Sequence, residues 1–202
     1  MIDIEKLANL HNSCTAHWHN AIEETESFSP WIEISNNHLQ NFLLWHEEDI
    51  ARRDDLPDAQ IKQAKRKIDK FNQLRNNAME QIDDWILSQL VDRNVFNNGK
   101  QLHSETPGMM IDRLSIMALK IYHMQEQVDR VDASLEHRDK CNSRVSVLRE
   151  QIHDLSNSLA RFLSDLSRGE RRFKVYRQFK MYNDPNTNPQ LYSPDQKLKS
   201  FE

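Results

Sequence analysis

Asp69, Asn76 and Asp83 recur every seven residues in this 202-residue chain, so on a helix they share one face, with Asn72 between the first two. Arg75 falls where the same heptad asks for an apolar side chain. Two other segments carry polar groups in their apolar stripes. "LLWHEED" sets His46 and Asp49 one turn apart with Glu47 and Glu48 beside them, and "TPGMMIDRLS" carries Asp112, Arg113 and Ser115, followed by Lys120 and His123. Such groups are seldom buried unpaired, because a charge stripped of water without a partner is costly.

Together they suggest a site for an anionic, phosphorylated small molecule such as a nucleotide or sugar nucleotide, bound or hydrolysed. Arg75, Arg113 and Lys120 would neutralise phosphate, while Asp49, Asp69 and Asp112 would hold Mg2+ or act as a base. His46, Asn72, Asn76 and Ser115 would complete the ligand contacts. Glu48, Asp49, Glu80 and Asp83 are the carboxylates suited to Mg2+ facing a phosphate. Two plainer readings compete: a hydrogen-bonded network that only fixes helix register, and ordinary exposure to solvent.

Other chemistries find less support. His46-x-x-Asp49, Glu80-x-x-Asp83, His123-x-x-Glu126 and Glu150-x-x-His153 each put two ligand types on one helical face, but composition alone produces such pairs. A di-iron bundle needs two Glu-x-x-His pairs, and only Glu150-x-x-His153 is present. The Glu-Glu-x-x-Glu of all-α nucleoside triphosphate pyrophosphohydrolases fails at Ala51 in "EEDIA". The chain has no Gly-x-Ser-x-Gly, phosphate loop or GxGxxG. "HSETPG" offers backbone N–H groups near Gly108 at a helix start, where a plain cap is the simpler reading.

The segments that must hold these groups are helical. With only three glycines and six prolines, the chain reads as all-α: a bundle of about five long helices, a C-terminal coiled-coil-like hairpin and an extended tail. The first helix spans about 2–25 on Leu7, Leu10, Cys14, Trp18, Ala21 and Ile22, and ends before Pro30. The second covers roughly 32–53, and the third about 58–91 on Ile61, Ala64, Ile68, Phe71, Ala78, Ile82 and Trp85. Thr106 followed by Pro107 starts a fourth, running to about 138. A fifth covers about 143–168, with Gly169 as its stop. Helical character continues to about 181, residues 1–182 form one bundle domain, and 183–202 is an extended Asn/Pro-rich tail.

Bulk properties bound the function further. Charged residues make up 29% and hydrophobic ones 38%, as in amphipathic helices of a soluble protein. Cys14 and Cys141 stand apart, which fits a reducing cytoplasm. The longest aromatic-aliphatic run, "FLLW", is far short of the ~20 residues a membrane span needs. The net charge of −4 hides an acidic N-terminal quarter and a basic-aromatic stretch of Arg171, Arg172, Lys174, Arg177 and Lys180 with Phe173, Tyr176, Phe179 and Tyr182. Acidic overall charge argues against nucleic acid as partner, and the aromatic spacing suits packing on the bundle.

The blocks "LWHEEDIAR", "KRKIDKFNQLRNNAMEQID", "SETPGMMIDRLSIMALKIYHM" and "YRQFKMYNDPNTNPQLY" together resemble an uncharacterised bacterial family, a domain of unknown function. The resemblance spans about residues 35–192 and implies no assigned catalytic residues. Genes of that family often lie beside glycosyltransferases of surface-polysaccharide assembly, which is association only. Most of the candidate residues fall inside these blocks. The alternative to a ligand site is a non-enzymatic interaction or scaffold protein, a homodimer or a protein-binding module, using the helical hairpin and the basic tail.

Overall fold

The computed structural model describes residues 1–23, 25–95, 101–179 and 184–192. Five helices carry it: α1 (Ile4–Trp18), α2 (Trp31–Ala51), α3 (Asp58–Asp92), α4 (Pro107–Asp129) and α5 (Leu135–Ser167). Two-residue strands, β1 (Gln101–Leu102) and β2 (Arg171–Arg172), pair in parallel, and Pro189–Tyr192 adds a single turn. The all-α bundle expected from the periodicity is therefore the fold. At 1.5 Å per residue the 35-residue α3 is about 50 Å long.

Local chemistry sets the helix starts. The Asp3 carboxylate accepts from the backbone N–H of Glu5 and Lys6, and the Thr106 hydroxyl accepts from Met109 N–H with Pro107 behind it. Ser134 does the same for His137 N–H. That cap explains a boundary the apolar period misplaces. α4 stops at Asp129 rather than near 138, and α5 begins at Leu135 rather than near 143. Val131 and Leu135, which continue the apolar spacing of the longer helix expected there, are consequently exposed.

The other ends also differ from the simple pattern. α1 finishes at Trp18 because His17 C=O accepts from both Asn20 and Ala21 N–H, turning the chain away and leaving Ile22 exposed. α5 does not continue to 181. Gly169 adopts φ +68°, a left-handed conformation glycine reaches without a Cβ clash, and Glu170 N–H closes onto Asp165 C=O.

α4 is the central rod, packed against α1, α2, α3 and α5, while α2–α3 and α4–α5 form two antiparallel hairpins. One continuous apolar cluster joins Leu7, Ile34, Ile82, Ile111, Leu159 and Phe173 from all five helices and the segment after β2. Gly108 sits where α3 and α4 approach most closely. A Cβ there would press into the Met79 carbonyl oxygen and come within 3.0 Å of the Asp83 carboxyl.

The basic-aromatic stretch lies over this body. Phe173 is 1% exposed, and Val175 packs on the core. Arg177 reaches Glu80 at 3.0 Å and Asp84 at 2.8 Å, and Gln178 N–H donates to Glu80. Tyr176 and Phe179 face outward; Lys180 and Tyr182 fall outside the described residues. No helix among the described residues is long and apolar enough to cross a membrane.

Candidate functional site

Four helices meet in a buried polar network around Asp112. Its carboxylate accepts from Asn37 Nδ2 at 3.0 Å, Asn41 Nδ2 at 2.9 Å, and both Nε (2.7 Å) and an Nη of Arg75. Three of these charge-assisted bonds converge on Oδ1 and one reaches Oδ2 of a carboxylate that is 3% exposed. Arg75 and Asp112 hold each other across α3 and α4, and the pairing pushes the guanidinium pKa up.

A directed chain of hydrogen bonds leads on from there. Asn41 also donates to Ser115 Oγ at 3.0 Å, and the Thr15 hydroxyl donates to His11 C=O at 2.8 Å. His38 Nε2 lies 2.9 Å from Thr15 Oγ1, whose proton is already used, so this ring nitrogen is the donor. His38 Nδ1 then accepts from the Ser115 hydroxyl at 2.8 Å. Burial lowers the His38 pKa to about 4, which keeps the ring neutral and the chain intact at pH 7.

Sequence reasoning picked out Arg75, Asp112 and Ser115 but missed Asn37, His38, Asn41 and Thr15. The available signal was the i, i+4 pair Asn37 and Asn41 inside the buried stripe of α2, beside Ile34 and Phe42. The remaining candidates lie elsewhere. Asp69 bonds Lys65 along the surface of α3, and Arg113 bonds Glu105 at 2.8 Å. Asn72 is half-buried and Asn76 buried on α3.

Three of the four carboxylates considered for Mg2+ are engaged by other partners. Glu48 pairs with Arg52 and Glu80 with Arg177, while Asp49 is exposed on α2. Asp83 is buried and accepts from Gly108 N–H at 2.7 Å, across the tight α3–α4 contact. Burial raises its pKa to about 6, against the opposing pull of hydrogen bonds from Thr106 and Gly108.

An open groove of roughly 1030 Å3 lies between α2, α4 and α5, large enough for a nucleotide-sized ligand. Lys120, Lys140 and Arg144 line it together with Trp45, Asp49 and His123. None of these three cations makes an ion pair with a described residue, whereas Arg52, Arg53, Arg113, Arg168 and Arg177 are all paired. Of the predicted site residues, Lys120 and Asp49 face this groove, and Arg113 and Lys120 line a second one of roughly 750 Å3 between α4 and α5. Behind the groove wall, His19, His46 and His123 are the cluster of metal-capable side chains among the described residues, with one ligand atom from each lying within 4.8 Å of the others.

A five-helix bundle with a closed polar centre and a cationic groove along its outer hairpin defines the class. Within it, the chain belongs to the family described as "Protein of unknown function (DUF4254)", whose model matches residues 31–175. Neither a curated protein nor a solved structure matches the chain. The family segment takes in α2 to α5 and the start of the basic stretch, so it contains the groove, Asp112 and two of the three clustered histidines.

Proposed function

We propose that the chain binds a phosphorylated small molecule of nucleotide or sugar-nucleotide size in the groove between α2, α4 and α5. The observation that carries this reading is the convergence of Lys120, Lys140 and Arg144 on one groove with no carboxylate partner. Three unneutralised cations around a concavity concentrate anions, and the guanidinium of Arg144 can take a phosphate in bidentate fashion. Met124, Val147 and Leu148 supply an apolar wall suited to a ring. Two carboxylates share the lining: Glu126 is engaged by His123, and Asp49 is the one that a Mg2+ carried on the phosphates would meet. The Asp112 network, outside the groove lining, ties α2 to α4.

Thermal shift tests this with inorganic pyrophosphate, ADP and a UDP-sugar, each with and without Mg2+. A probe at a hundred times its Kd adds about 2.7 kcal/mol. For a chain of this size that raises Tm by roughly 5–10 °C. The Lys140→Glu, Arg144→Glu double variant, altered only at exposed positions, folds normally and loses the shift. Absence of a shift with all three probes, or one that survives the double charge reversal, removes the reading.

A further inference from the structure

The three ring centroids of His19, His46 and His123 form a nearly equilateral triangle, with sides of 5.2, 5.2 and 5.6 Å. They come from three places in the chain: the residue just after α1, the C-terminal half of α2 and the last third of α4. Rings gathered so closely could be simple packing, and the aromatic surroundings would allow it. Their nitrogens suggest otherwise.

Each ring has one nitrogen engaged in, or left free for, a definite task. His19 Nδ1 lies 2.7 Å from Thr15 C=O, which can only accept, so Nδ1 carries the proton and Nε2 keeps its lone pair. His123 Nδ1 lies 2.8 Å from a Glu126 carboxylate oxygen, which fixes the same tautomer, and its Nε2 is buried without a hydrogen-bond partner. His46 Nε2 is likewise buried without one. An unpaired ring nitrogen out of water is costly, and here two of them lie in one cluster.

Carbonyl and carboxylate partners on the outer nitrogens are what a metal-binding histidine needs, since they orient the ring and raise the basicity of the inner nitrogen. Aromatic rings pack around the cluster, which stays open to solvent at His19. Trp45 stacks on His123 with centroids 4.7 Å apart, Tyr122 stacks on His19 at 4.7 Å, and Phe42 meets the edges of His19 and His46.

We infer that His19, His46 and His123 form a three-histidine site for a zinc-class divalent ion, bound through their Nε2 atoms at the inner wall of the groove. Imidazole nitrogens suit Zn2+ and its neighbours, and disfavour Mg2+, which demands oxygen ligands. Tetrahedral bonds of about 2.0–2.1 Å require nitrogens roughly 3.3 Å apart. The ligand atoms now lie within 4.8 Å of one another, so the ion would draw the three rings inward. Three protein ligands leave a fourth position for water or for an oxygen of a bound molecule, the arrangement of zinc sites that do chemistry. His123 lines the groove, so that position lies beside the volume where the proposed phosphorylated ligand sits. The metal site itself does not rest on that ligand, because ion uptake is measured without it.

The test uses the full chain without a histidine tag, titrated with Zn2+ by calorimetry and with Co2+ by visible absorption. The expected result is one ion per chain and the intense absorption of tetrahedral Co2+. His46→Phe and His123→Phe, which keep ring packing but remove the ligand atom, lose at least 100-fold in affinity. Glu126→Ala, at an exposed position that cannot unfold the bundle, loses 10–100-fold because it touches only the outer nitrogen of His123. His153→Ala, on α5 and outside the cluster, leaves the affinity unchanged. Failure of the wild-type chain to take up Zn2+ or Co2+, equal uptake by the Phe variants, or an unchanged affinity in Glu126→Ala overturns the site.

Discussion

Asp83 and Asp112 are both buried carboxylates, yet the structure treats them in opposite ways. Asp112 is offset by a guanidinium and two amides and serves as a junction for α2, α3 and α4. Asp83 has only neutral donors, so its charge is held out of water at a net cost and its pKa rises to about 6. Its folded pKa lies above the ordinary 3.8, so the folded chain takes up the proton first as pH falls. This group therefore adds stability on going from pH 7 down to pH 4, and withdraws it as pH climbs through 6. Asp83→Asn keeps an acceptor for Gly108 N–H and removes the titration. Denaturant midpoints of wild type and variant at pH 7 and pH 4.5 should show the variant gaining on the order of 2 kcal/mol relative to wild type at the higher pH. Parallel midpoints at both pH values would mean that Asp83 titrates normally.

The contact between α3 and the start of α4 is made possible by one missing side chain. Thr106 caps α4, Pro107 occupies its first position, and Gly108 then lets the helix end press against the Met79 carbonyl while its N–H meets Asp83. Gly108→Ala would gain helix propensity on a free peptide, by up to ~1 kcal/mol. In the bundle the added methyl collides with main chain, which cannot swing aside, and overpacking of this kind costs about 1–3 kcal/mol. The expected outcome is a Tm lowered by several degrees despite the better helix former. An unchanged or higher Tm would show that the two helices can separate freely. The same element explains how the period could mislead. Apolar spacing continues from α4 through Val131 to Leu135, but Ser134 offers its hydroxyl as a cap and restarts the helix there.

Taken whole, the molecule closes its core with chain from beyond the last long helix. Phe173 is among the largest fully buried side chains and meets Phe162 edge to face, with centroids 6.4 Å apart. Arg177 then ties the same strand of chain to Glu80 and Asp84 on α3. Phe173→Ala should cost about 3–5 kcal/mol, as for a large aromatic removed from a core that cannot collapse around the gap. Arg177→Ala, which removes only an exposed ion pair, should cost far less. Urea unfolding of the two variants measures both; a Phe173→Ala loss no larger than that of Arg177→Ala would mean that the segment merely lies on the surface.

Helix number, the long α3, the Thr106–Pro107 start and the apolar stripes were readable from the residues alone. Each is a local consequence of hydrophobic period and backbone capping, which act within a few residues along the chain. That some polar groups would be buried was readable too, since Arg75 and Asp112 interrupt those stripes. Which groups would meet was not. Asp112 finds Asn37 and Asn41, 75 and 71 residues away, Arg113 one position later turns out to Glu105, and Lys120 opens onto a groove. Those outcomes depend on how each rod is rotated and slid against its neighbours, and side-chain period fixes a face only to within a helical turn. The triangle of His19, His46 and His123 is the extreme case: three ordinary histidines far apart in the chain, brought within reach of one ion only because α1, α2 and α4 cross at that point.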